Sequence, residues 1–373
     1  MKNYNYMIFI ADFKLIEKKY WIVLLLLYSS IVTFSQDVVY RAGIHNFFDN
    51  NEFIGCPIGD SQTMAGVHLA PQLGLNWGSK HRFFAGIDAL HEYGSDVPIA
   101  FWDPIAYYEF DGKPFRFYMG AFPRKMAIDK YPLFFFQDSI RNYRPTMNGF
   151  FWEYYSNKGD FFNIWLDWTS RQTFTRRETF FMGWSGRYNQ SVLYGQHFGY
   201  MYHFAGVGDK DNNTRVRDVG RLWTALGIDL ASKTGLDELD INAGWAIGLD
   251  RDRTYGGQWT APQGLLSEVR AEYRGIGLFN TFYQGDSQAK SYDDYKSEQF
   301  WGDRLYRTNR YDRLDGYVYF LKSDVVTLKF VFTLHFVTHG VFTEQQFYAT
   351  FDIDNFKKKN TGKQYRYLWD KWF

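Results

Sequence analysis

Eight histidines, one cysteine and carboxylates scattered along 373 residues are what this chain offers for chemistry. A metal centre needs three or four ligands that converge on one point. His335 and His339 stand four apart; in a strand they share a face but lie ~13 Å from each other, too far to hold one ion. His197 and His203 are six apart, which is worse. No zinc-type Cys/His spacing occurs, and Cys56, being alone, excludes an internal disulfide. No metal and no cofactor are therefore expected. A serine elbow of the G-x-S-x-G kind is missing; Gly183-Trp184-Ser185-Gly186 comes nearest and sits within an expected strand. A hydrolase could still gather Ser170, His197, His203 and Asp209 from separate strands. Gly206-Val207-Gly208 is too short to cradle a phosphate. With a formal net charge of +1, no global field draws in nucleic acid.

The elements that must position these residues are strands. Leu239, Ile241, Ala243, Trp245, Ile247 and Leu249 alternate with Asp240, Asn242, Gly244, Ala246, Gly248 and Asp250. Side chains alternate faces along a strand, so this segment has one greasy face and one small or polar face. Residues 67–77, 160–170 and 265–274 read the same way, and Val326, Leu328, Phe330, Phe332, Leu334 and Phe336 share one parity. Pro71 is a blemish, because it removes a ladder donor. Such segments number about sixteen, within a range of roughly 14–18. Between them, short turns such as Gly78-Ser79-Lys80, Asp111-Gly112-Lys113 and Lys322-Ser323-Asp324 largely alternate with long links at 47–64, 92–103, 123–146, 205–218, 250–264 and 285–310. Antiparallel strands put successive connections at opposite ends. The alternation therefore sorts short turns to one end and long loops to the other.

Residues 20–32 (YWIVLLLLYSSIV), after Lys18 and Lys19 and before small residues, read as an export signal ending at residue 35. Either Met1 or Met7 can serve as the start. No later stretch approaches the roughly 20 apolar residues of a spanning helix. Residues 36–373 are expected to form one domain, with 354–373 either the last strand or a short extension.

On the leader, the dyad strands, the sorted loops and aromatic strand ends such as Phe150-Phe151-Trp152, the chain resembles Gram-negative outer-membrane β-barrel proteins of the porin-like kind. The resemblance implies an all-β, antiparallel, up-and-down transmembrane barrel in the outer membrane. It implies lipid and the barrel-assembly machinery as partners, the latter reading a terminal aromatic such as Phe373. The implied function is passive diffusion of small hydrophilic solutes, possible cargoes being oligosaccharides or anions, with no enzymatic activity.

On that reading the polar parity lines the lumen. Arg82, Asp88, Arg116, Asp167, Arg171, Asp240, Glu268, Arg270, Glu272 and Arg274 become selectivity candidates, or else pair across strands and fill space. Tyr131, Phe134, Phe135 and Phe136 form an aromatic run inside the long link 123–146. Such a run is costly in water, so it is expected either to fold inward as a constriction or plug or stack on a ligand, or to belong to a missed strand or the aromatic girdle. Link 285–310, with Tyr292, Trp301, Asp303 and Arg304, is the other candidate for closing the lumen. The alternatives are a barrel-wall hydrolase acting on lipid or surface polymer, and a glycan-binding or adhesin barrel with a plugged lumen.

Overall fold

The computed structural model describes residues 36–208, 216–253, 257–357 and 367–371. The expected leader and Asp209 lie outside them. The first half of the wall is β1 (Asp37–Glu52), β2 (Gln62–Trp77), β3 (His81–Glu92), β4 (Phe101–Gly112), β5 (Phe115–Pro123), β6 (Thr146–Tyr155), β7 (Phe161–Ser170) and β8 (Thr179–Gln190). The second half is β9 (Leu193–Phe204), β10 (Arg217–Asp229), β11 (Glu238–Asp252), β13 (Gln263–Tyr273), β14 (Ile276–Gly285), β15 (Arg310–Lys322), β16 (Val326–Val337) and β17 (Gly340–Asp354). The two-residue β12 (Trp259–Thr260) only folds back on the end of β11. Every neighbour in the wall is antiparallel, and β17 pairs with β1 from Arg41↔Asp354 to Glu52↔Thr343. The result is a closed sixteen-strand barrel. Closure leaves no strand edge, so every wall N–H and C=O can pair within the sheet, as lipid demands.

The alternation decides which face is which. Val38, Leu73, Leu226 and Leu278 point outward and are exposed, while Arg41, Gln72, Ala225 and Gly277 beside them point inward. Pro71 is accommodated in β2 opposite Ala42. Strands run past the greasy band: β1 continues to Glu52, well beyond the apolar alternation, because polar Asp49 and Asn50 take up the two parities above it. The barrel closes where β17 pairs with β1 as far as Asp354. Phe356 turns back into the lumen, where the guanidinium groups of Arg41 and Arg82 lie over its ring at 5.1 and 4.6 Å.

The lumen is filled. The link after β5 folds inward through two short helices, α1 (Lys125–Ile128) and α2 (Asp138–Tyr143), which periodicity did not reveal. A third, α3 (Tyr292–Gln299), lies in the link between β14 and β15. Phe134 and Phe135 are fully buried between these inserts and the wall; Phe134 meets Tyr306 and Tyr283, and Phe135 meets Tyr200. Each such ring contributes about 1.5–3 kcal/mol by leaving water. Trp165 donates its indole N–H to the Tyr131 hydroxyl at 2.9 Å, tying insert to wall. Arg124 clamps the base of the insert, pairing with Asp167 and donating to the carbonyls of Arg144 and Thr146.

Candidate active site

Most inward charges are spent on each other. Arg82 meets Glu109 at 2.7 Å, Asp88 meets His68 at 2.6 Å, and Arg116 meets Glu153 at 3.3 Å. Asp167 holds Arg124, and Glu272 takes Lys322 at 2.8 Å and the Tyr317 hydroxyl. Asp240, Glu268 and Arg270 line a cavity of about 380 Å³ below the insert. Two candidates lie off the lumen. Arg171 is exposed, one residue past the end of β7, and Arg274 is in the tight turn after β13 at φ 51° with its guanidinium over Tyr273. Period two holds only while the strand lasts, so parity could not place either. Tyr131, Phe134, Phe135 and Phe136 pack against wall aromatics and present no free face for a ligand.

Chemistry needs a titratable group that substrate can reach. The histidines separate on this point. His68 has both ring nitrogens engaged, with Asp88 and the Asn142 carbonyl, and is buried. His335 sits between the Tyr311 hydroxyl and Glu344, also buried. His197 bridges Trp184 and Thr224. His203 differs. It lies near the end of β9, on the outward face, and its Nδ1 is 2.9 Å from Asp218 of β10. Among the described residues it is the histidine that pairs with a carboxylate outside the lumen.

Register builds the surroundings. Trp168, Phe180, His203, Asp218 and Arg251 are successive cross-strand partners from β7 to β11, so they form one lateral row on the outside of the wall. Trp168 stacks on Phe180 at 5.0 Å, and Phe180 lies 5.1 Å from His203. Asp218 is fixed from its other side by Arg253, whose Nε and Nη2 donate at 2.8 and 3.0 Å. The same bonds hold the Arg253 guanidinium above its usual pKa. A carboxylate accepts only, so His203 must present Nδ1–H to it and leave Nε2 as an acceptor. That is the tautomer a general base needs. Link 171–178 packs beside the row through Gly208 N–H to the Thr173 carbonyl and Ala205 N–H to the Glu178 carbonyl. It carries exposed Phe174, Arg171 and Arg176 at the long-loop end of the same strands.

Of the hydrolase residues foreseen in the sequence that lie among the described residues, only His203 enters this site. His197 is on the same outward face, six residues lower, and Ser170 donates to the Arg177 carbonyl. Asp218 escaped notice because it meets His203 only across a hairpin whose register the sequence does not print. The shared outward parity of the two residues was the available signal.

Comparison with curated proteins finds no match. Among solved structures, the chain resembles a loop-L8 deletion mutant of OmpT, an outer membrane protein of Vibrio cholerae. The TM-score is 0.51 at 8% identity, covering 86% of this chain and 100% of that one. It also resembles the anion-selective porin from Comamonas acidovorans, with TM-score 0.50 at 12% identity, covering 86% and 99%. These likenesses show the porin-like outer-membrane barrel fold. The sequence profile of a family described as lipid A 3'-O-deacylase-type matches residues 35–365. This is an enzyme family, and it overturns the expectation that the chain has no enzymatic role. By that match, the chain belongs to the lipid A 3'-O-deacylase-type family.

Proposed function

We propose that this protein is a barrel-wall hydrolase that removes an ester-linked acyl chain from an anionic glycolipid of the lipid A class. The observation that carries the reading is the His203–Asp218 pair on the outer face of the wall, at the end that bears the long loops. In outer-membrane barrels that end faces outward from the cell. A membrane lipid reaches the outside of a barrel without passing through it. The filled lumen, which argues against passive diffusion of solutes, is no obstacle to such a substrate.

In this mechanism His203 Nε2 takes a proton from a water molecule as its oxygen bonds to the acyl carbon. The acyl C–O bond then breaks, and the leaving sugar oxygen receives the proton back from the imidazole. The products are a free fatty acid and the de-esterified glycolipid. Asp218 holds the tautomer and stabilises the transient imidazolium, and Arg253 fixes Asp218. Trp168, Phe174 and Phe180 offer an apolar bed for the acyl chain, and Arg171 and Arg176 offer charge for lipid phosphates.

The test is to incubate the folded, purified protein with lipid A in detergent micelles and follow free fatty acid by mass spectrometry. Loss of one ester-linked chain by wild type but not by His203→Ala supports the reading. Equal release by both would remove His203 from the reaction.

A further inference from the structure

The cavity below the insert is a separate feature, on the other side of the wall and at the opposite end of the barrel. It is bounded by Lys130 and Pro132 of the insert above and by the β10–β11 turn, with Asp229, Asp237 and Glu238, below. That turn is one of the short ones, which lie on the periplasmic side in outer-membrane barrels. Five carboxylates line the cavity (Asp229, Asp237, Glu238, Asp240 and Glu268) against three cations (Lys130, Arg187 and Arg270).

The cations are already taken. Lys130 pairs with Glu153 at 3.3 Å, Arg187 with Asp240 at 3.6 Å and Arg270 with Glu238 at 3.9 Å. Asp237 accepts the Arg274 backbone N–H, and Asp229 accepts that of Ala231. Glu268 makes no ion pair within the usual contact distance among the described residues. A second, independent observation points the same way. Asn242 is 95% buried, its amide nitrogen donates to Asp240, and its carbonyl oxygen has no partner. Asn242 is on the inward face of β11 and Glu268 is its register partner on β13, so the unpaired amide oxygen lies beside a carboxylate that feels the Asn242 side chain and the charge of Arg270 but closes no ion pair. Both can only accept. A buried acceptor left unpaired is costly, and a donor-rich cation satisfies both at once.

We infer that this chamber binds a small organic cation carrying a primary ammonium or guanidinium group, taken from the periplasmic side and held by Glu268, the Asn242 carbonyl oxygen and Asp240. A volume of about 380 Å³ suits a molecule of that kind. No cluster of three or more metal-ligating side chains occurs among the described residues, which favours an organic cation over a metal ion. The inference is independent of the hydrolase reading, because none of these residues is near His203.

The experiment titrates agmatine into the folded, detergent-solubilised protein by calorimetry, with Trp223 in the cavity lining as an optical reporter. Saturable one-to-one binding is expected. It should weaken about tenfold or more in Glu268→Gln, since a charge-assisted bond is lost. Asn242→Asp should tighten it, a gain that misfolding cannot imitate. Heat-modifiable mobility on gels checks that both variants fold. No binding at millimolar agmatine, equal binding of succinate, or displacement of agmatine by magnesium with higher affinity would each overturn the inference. Fatty-acid release is not read in this assay, so failure here leaves the His203 proposal standing, and the reverse also holds.

Discussion

Replacing Asp218 by Asn is the most informative single change. The substitution keeps size and polarity while removing the charge that orders His203. The Nδ1–H to carboxylate bond, at 2.9 Å, is charge-assisted and contributes about 1.5–3 kcal/mol. If that energy is expressed mainly as imidazolium forms, each 1.4 kcal/mol is about a tenfold change in rate. Deacylation should then fall about 10- to 150-fold. Two effects modify the range. The His203 side chain is about a quarter exposed, so water screens part of the interaction and pulls the loss toward the lower end. Conversely, an Asn amide can offer N–H to Nδ1, which favours the Nε2–H tautomer that cannot accept a proton and pushes the loss upward. The assay is initial-rate fatty-acid release from lipid A, with unboiled gel mobility to confirm folding. A folded Asp218→Asn protein within twofold of wild type would refute the assignment of Asp218 as the positioning residue.

Other outcomes follow from the same geometry. His203→Ala should lose about 10²–10⁴-fold of the rate, the usual span for a general base, with no change in folded mobility. Arg124→Ala leaves Asp167 buried without its cation and should destabilise the barrel by about 3–5 kcal/mol in urea unfolding. Gly183→Ala should cost about 1–3 kcal/mol in the same experiment. Its added carbon would come within 2.1 Å of the Trp165 ring, which must move and give up its bond to Tyr131.

Much of the wall could be read from residues alone, and the reasons are local. The parity of Leu239–Leu249 against Asp240–Asp250 survives intact in β11, because lipid on one side and packed polar side chains on the other impose opposite demands at every step. What alternation cannot register is structure with no regular period. The helices of the inserts are four to eight residues long, too short for a 3.6-residue signal to emerge. Strand ends beyond the greasy band, as in Asn50–Glu52 of β1, lack contrast between faces. The His203–Asp218 pair was hidden for another reason. His203 and Asp218 are fifteen residues apart and meet only because β9 and β10 pair in one particular register.

The filled interior bears on how many copies a cell can carry. An open barrel adds a hole to the permeability barrier with each molecule made, so its abundance trades against resistance to toxic solutes. Here Phe134, Phe135 and Tyr306 occupy the bore. Such a protein can be expressed densely, or switched on abruptly under stress, without making the envelope leakier.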